Sequence, residues 1–209
     1  MPRKSNQTRS EKYTVAITGE GKTEWHYFDG MRIIERYKFD VKPQLPDNRS
    51  DFGSLMRRSV KLIKDGYDLV FCVVDLDYIV SDQTNKTNYS KKKKELKKKY
   101  SNLIFIETMP CIEFWFLLHF YEKYSTRIYT NYNSLEPELK KCLPDYEKSD
   151  KYFKCKNIYQ ALKDSNKIEK AINYAERLLI DRKEADNELF PFTEIHSLII
   201  KLKEIDNRN

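Results

Sequence analysis

Apolar positions along this chain change spacing several times, and the changes outline alternating strands and helices. Tyr13 to Thr18 is a short apolar run that reads as a buried strand. Between Glu24 and Tyr37, Trp25, Phe28, Met31 and Ile34 recur at helical spacing, with Ile33 beside them. Phe39 to Leu45 alternates weakly and ends at Pro46, a second strand. Leu55, Val60, Leu62 and Ile63 mark a second helix that stops at Gly66. Asp68 to Val74, DLVFCVV, is continuously apolar and β-branched after its first residue, as a strand buried on both faces of a parallel sheet reads. Asp82 to Tyr89 is polar and reads as a loop. In the following SKKKKELKKKY, Leu96 and Tyr100 fall four apart, which suits a helix with a basic face. LIFIET, from Leu103 to Thr108, is another strand, and Glu113 to Tyr124 an aromatic-rich helix.

From Thr126 the character changes. A loop crowded with Asn and Tyr is followed by helical segments at Ser134–Leu143 and Ile158–Leu162. Ile168 to Leu179 carries Ile168, Ala171, Ile172, Ala175, Leu178 and Leu179 on one face, an amphipathic helix. A last helix spans Thr193 to Ile205, with Thr193 as a candidate N-cap. The expected organisation is a polar, frayed tail over 1–12, an α/β core over 13–125 with a mostly parallel sheet flanked by helices, and a mainly helical region over 126–209.

Composition narrows the function class. Of 209 residues, 40% are apolar, enough for a sizeable core, and no apolar run is long enough to span a bilayer. The first residues, MPRKSNQTRSEK, hold no apolar signal core, so the expected location is the cytoplasm. Cys72, Cys111, Cys142 and Cys155 show no CxxC spacing and read as reduced thiols. A net charge of +7 favours a polyanionic partner such as nucleic acid, although a basic, soluble surface has the same composition.

The chemistry concentrates where strands end. TVAITGEGKTEWHYF places Glu20 between Gly19 and Gly21 directly after the first strand. The GxxxxGK[ST] spacing of a phosphate-binding loop is absent, and a carboxylate at that point repels anions. The strand through Val74 runs into Asp75-Leu76-Asp77, and LIFIETMP leads into Glu113. In open α/β sheets ligands bind beyond the carboxyl ends of the strands. If these strands are parallel neighbours, Glu20, Asp75, Asp77 and Glu113 converge, and a divalent cation such as Mg2+ or Mn2+ would neutralise them. Such an ion polarises a phosphodiester and acidifies a bound water. In that reading Gly19 and Gly21 allow a tight turn, Glu20 is a metal ligand or general base, and Lys22 binds phosphate. Taken singly, each acid has a simpler explanation: Glu20, Glu24 and Glu113 suit helix N-termini, and Asp75 and Asp77 suit a turn.

Other candidates surround this set. His26 follows GEGKTEW closely, His119 sits within FLLHFY as a packed histidine, and His196 lies on the last helix. Seven lysines fall within Lys91–Lys99, either a solvated helix face or a phosphate track. Lys148, Lys151, Lys154 and Lys156 are interleaved with Tyr146, Tyr152 and Phe153, which reads as a loop with anchoring aromatics or as a surface for unpaired bases.

Together TGEGKTE, the DLD, PCIEFWFLLHF and PFTEIHSLI resemble the RloB-like family, which is Toprim-related and similar to the Toprim half of OLD-family nucleases. The resemblance runs over essentially the whole chain. It implies a Toprim fold in which Glu20 matches the glutamate that serves as acid/base or metal ligand, and Asp75 and Asp77 match the DxD metal ligands. Glu113 matches the acid of the P-x-x-E-x-W stretch, and Glu24 becomes a further carboxylate of the site. The chain departs from the pattern after DLD, where Tyr78-Ile79 follow without a third acid. The resemblance also implies a phage-defence context and an OLD- or AAA-type ATPase partner.

Two functions follow. One is a Mg2+-dependent nuclease acting on RNA, including tRNA, or on DNA, with Glu20, Asp75, Asp77 and Glu113 catalytic and Lys22, Glu24, His26, Lys148, Lys151 and His196 near substrate. The other is a non-catalytic interaction or sensor module serving a defence ATPase. The aromatic FWFLLHF segment suits either core or a homo-oligomer surface. A primase-like transferase would use the same acids but needs a triphosphate pocket that the sequence does not display.

Overall fold

The structure, a computed structural model, describes residues 13–43 and 51–207. The expected tail over 1–12 and the Leu45–Pro46 end of the second strand lie outside the described residues. Strand β1 (Val15–Thr18) and helix α1 (Lys22–Glu35) come first, then β2 (Asp40–Lys42), α2 (Phe52–Lys64) and β3 (Leu69–Asp75). A one-turn helix α3 (Asp77–Val80) leads into the long α4 (Gln83–Lys99), followed by β4 (Leu103–Met109) and α5 (Glu113–Leu118). Helices α6 (Tyr132–Cys142), α7 (Asp150–Cys155), α8 (Ile158–Asp164) and α9 (Ile168–Asp181) precede β5 (Phe192–Thr193) and α10 (Ile195–Asp206).

Among the described residues the strands form one sheet in the order β2-β1-β3-β4-β5. The first four are parallel, and β5 pairs antiparallel with β4 through Thr108–Thr193 and Met109–Phe192. The architecture is thus α/β with a mostly parallel sheet flanked by helices and a helical C-terminal part. β3 sits at the centre and every one of its residues is buried, as its unbroken apolar run predicts. β1 and β4 flank it directly, so the three strands whose ends carry acids are adjacent and point the same way.

The sequence expectations need four corrections. The polar stretch from Asp82 to Tyr89 is helix, not loop: the Asp82 side chain caps it by accepting from the Asn85 amide at 2.8 Å, and α4 then runs unbroken through the lysines. The aromatic helix stops at Leu118 instead of Tyr124: the amides of His119 and Phe120 turn to the Phe116 and Leu117 carbonyls three residues back, tightening and ending the last turn. Lys148–Lys156 is not a plain loop, since Ser149 caps α7 by accepting from the Tyr152 amide. Thr193 ends a strand and precedes the last helix by two residues; its Oγ1 accepts from the Ile195 amide at 3.2 Å.

Candidate functional site

Three strand ends deliver acids to one place. Glu20 lies two residues beyond β1, and its Oε1 accepts from the backbone amide of Asp75, the last residue of β3, at 3.1 Å. Asp75 Oδ1 accepts from the Ile112 amide at 3.0 Å, tying the end of β3 to the turn between β4 and α5. Glu113 opens α5, and its Oε1 accepts from the Tyr146 hydroxyl at 2.8 Å and pairs with Lys148 Nζ at 2.8 Å. The fourth acid, Glu24, stands in the first turn of α1 and accepts from the Gly21 amide at 2.9 Å, the reciprocal half of a capping box.

Gly19 explains how Glu24 reaches this position. A Cβ on Gly19 would stand 2.5 Å from Glu24 Cβ and 2.8 Å from its Cγ, so the glycine makes room for the glutamate stem. Gly21 is extended, at φ −152° and ψ −163°. The role of the first glycine is therefore steric clearance, not the conformational freedom expected of the pair.

All four acids are buried, at 6% exposure or less. Burial, then the charges of Glu24, Glu20 and Glu113, hold the Asp75 carboxyl well above its ordinary value, while Lys148 opposes the shift. Burial and the neighbouring Glu113 charge likewise raise Glu24. Burial pushes the Cys111 thiol well above its usual range, and Glu113 and Asp75 push it further, which keeps it protonated and unreactive. Two cations border the acids. Lys148 also lies 3.9 Å above the Tyr132 ring. Arg58, from α2, donates to the Gly19 carbonyl at 3.4 Å. Four carboxylates thus outnumber two cations.

The donor set suits a hard divalent ion: oxygen ligands, excess negative charge, and a buried Glu113 Oε2 without a hydrogen-bond partner. Charge and chemistry fit such an ion. As the side chains stand, however, no three His, Cys, Asp or Glu side chains among the described residues form a ready cage. Glu20 and Asp75 are occupied by amides and Glu113 by Lys148, so loading requires side-chain rearrangement.

The other expected site residues divide. Asp77 starts α3, its amide donates to the Pro110 carbonyl, and its Oδ1 accepts from the Tyr78 amide at 2.6 Å. The DLD pair is therefore split by the strand-to-helix transition. Lys148 joins the cluster from a distant loop as counter-ion to Glu113 rather than as a surface contact. Lys22 sits at the rim, paired with Asp150 at 2.7 Å. His26 stacks on Phe153 with centroids 4.5 Å apart, and burial lowers its pKa. Lys151 is exposed on α7. His196 is buried on α10 with Nδ1 unpartnered, and none of the acids of the cluster is among the groups shifting its pKa. His119 Nδ1 donates to the Trp115 carbonyl, 2.9 Å away, and burial lowers its pKa to about 4, so it stays neutral. Tyr132 and Arg58 are parts of the site that sequence patterning did not single out, and Tyr146 was named there only as an aromatic of the lysine-rich patch. A tyrosine beside acids in PDYEKSD was the nearest signal.

Compared with known proteins, residues 15–202 match the family model described as RloB-like protein. No curated protein and no solved structure matches the chain.

Proposed function

The chain belongs to the RloB-like protein family, and we propose that it is a divalent-metal-dependent phosphodiesterase acting on nucleic acid in antiviral defence. The observation that carries this reading is the meeting of Glu20 with Asp75, joined by Glu24 and Glu113, beyond the ends of three adjacent parallel strands. Open α/β sheets bind ligands at that edge. The Toprim resemblance assigns the same acids to metal-assisted phosphoryl chemistry.

Asp75, Glu20 and Glu113 are the residues that would hold the ion. Bound there, Mg2+ or Mn2+ supplies charge neutralisation for a phosphodiester and an acidified water. Glu24 fixes the Gly19–Lys22 turn from within; burial first, and then the crowding of the acids, raises the affinity of Asp75 and Glu24 for protons, and that crowding also favours a cation. Lys22, at the half-exposed rim, is placed to meet a substrate phosphate once it leaves Asp150. Lys148 balances Glu113 and limits the negative charge of the cluster.

A second reading is favoured by the burial of all four acids and by the lack of a ready ligand cage among the described residues: a non-catalytic module in which the cluster is structural and the surface serves a partner ATPase. One experiment separates the two. Purified protein is incubated with labelled RNA, including tRNA, and DNA in Mg2+, Mn2+ or EDTA. The nuclease reading expects cleavage that needs metal and disappears in Glu20→Ala and Asp75→Ala while melting remains cooperative. Intact substrates throughout would favour the module.

A further inference from the structure

A separate cavity of about 460 Å³ lies between α4 and the segment that follows β3. This is within the size range of small-ligand sites. Its apolar side is Leu76, Ile79 and Val80. Its cationic side comes from one face of α4: Lys86, Ser90, Lys93 and Lys97 recur at intervals of four, three and four, so they project together. Lys94 adds to this face, and Arg182, just past α9, closes the far wall.

The cations differ in how they are held. Lys93 is fixed by the buried Glu107, 2.5 Å away, whose Oε1 also accepts from the Tyr89 hydroxyl at 2.6 Å. Its ammonium is therefore preorganised at the cavity wall. Lys86 pairs with Glu188, whose side chain is 56% exposed and free to swing into solvent. Among the described residues Lys94 and Lys97 have no ion-pair partner. Five cations line the space against two carboxylates, Glu107 and Glu188. Such a concavity has excess positive charge on one wall and an apolar surface on the other.

We propose that this cavity binds a phosphate ester carrying an apolar or planar body, with the phosphate on Lys86, Lys94 and Lys97 and the body against Leu76, Ile79 and Val80. That is the chemistry of a nucleotide unit, whether free or within a polynucleotide strand. Inorganic phosphate alone would leave the apolar wall unused. Entry displaces Glu188 from Lys86. The site stands independently of whether the acid cluster hydrolyses anything, since it shares with it only the chain segment that follows Asp75.

The test is calorimetric titration of the full chain in EDTA with a nucleoside monophosphate, a six-nucleotide oligoribonucleotide and inorganic phosphate. Saturable binding of a nucleotide-containing ligand is expected, tighter than that of inorganic phosphate. The double variant Lys94→Glu/Lys97→Glu is expected to lose about tenfold or more, whereas Lys91→Glu/Lys98→Glu, an equal charge change outside the cavity, stays within about twofold. Asp75→Asn is expected to bind as the wild type does, which keeps this result distinct from the fate of the phosphodiesterase reading. Tighter oligonucleotide binding with weak competition by the monophosphate identifies a strand as the source; the reverse order identifies a free nucleotide. Lack of saturable binding by either nucleotide ligand, or equal losses in the two double variants, overturns the proposal. Lys94→Gln/Lys97→Gln, which removes the charges without adding acids, provides a check should the glutamate variant fold poorly.

Discussion

Glu107 and Glu113, six residues apart on either side of the β4–α5 turn, have the same immediate partners and opposite surroundings. Each is buried, and each presents one carboxylate oxygen to a tyrosine hydroxyl and a lysine: Tyr89 and Lys93 for Glu107, Tyr146 and Lys148 for Glu113. Around Glu113 stand Glu24, Asp75 and Glu20. Around Glu107 stand Lys86, Lys94, Lys97 and Arg182, with Glu194 hydrogen-bonded to its amide. A buried ion pair is thus not by itself a site. The charge that remains after pairing decides whether the locality attracts a cation or an anion.

The largest effect expected from breaking this contrast is catalytic. Glu20→Gln keeps an oxygen to accept from the Asp75 amide but removes the charge. It should lower metal-dependent cleavage by about 10² to 10⁴, the range of a general base, with little change in melting. Equal cleavage by wild type and variant would remove Glu20 from the mechanism.

Next in size is the response to losing a counter-ion. Lys148→Met leaves Glu113 buried among carboxylates and should cost about 3 kcal/mol in EDTA, the low end for a broken buried pair because the lysine side chain is itself 36% exposed. Added Mg2+ should recover part of that loss. Lys93→Met should destabilise comparably through Glu107, but without recovery by Mg2+, since cations already surround that acid. Thermal melts of both variants with and without the ion make the comparison, and identical Mg2+ responses would erase the distinction between the two glutamates.

How the acids came together was only partly legible in the chain. DLVFCVV announced the central strand because burial on both faces leaves no polar position to interrupt it. Strand ends followed from it, and with them Glu20, Asp75 and Glu113. Asp77 was grouped with Asp75 from proximity in sequence; the fold sets it on the next element, as the first residue of α3. Lys148 is 35 residues from Glu113, and nothing local marks a loop lysine that folds back into a cluster. The two-residue β5 is too short for any alternation to show. The 83–89 segment hid its helix because QTNKTNY lacks an apolar stripe; the signal that was present, Asp82 as an N-cap, is visible only by looking for caps before periodicity.

A smaller effect is expected at Gly19. The Cβ of Gly19→Ala overlaps the stem of Glu24, and relieving that overlap should cost about 1–3 kcal/mol and disturb the acid cluster while leaving the lysine-lined cavity intact. Urea melts alongside nucleotide titration would show whether the damage stays local.

The smallest change concerns pH. Asp75 and Glu24 hold protons more tightly in the folded protein than at their ordinary values of 3.8 and 4.5. The folded state therefore binds more protons, and metal-free stability falls as pH rises from those values through the raised folded ones. Asp75→Asn, whose side-chain oxygen still accepts from the Ile112 amide, should flatten that decline. An unchanged slope would mean that burial and the neighbouring acids do not raise the proton affinity of Asp75 in the folded protein.

The most direct test of the acid cluster is titration of the metal-free protein with Mn2+ or Mg2+, followed by calorimetry and, for Mn2+, by its spin resonance signal. One saturable ion per chain is expected for the wild type, retained in Asp77→Asn and lost in Asp75→Asn. Absence of a saturable site in the wild type, or equal binding by Asp75→Asn, would contradict the assignment of these carboxylates to a metal.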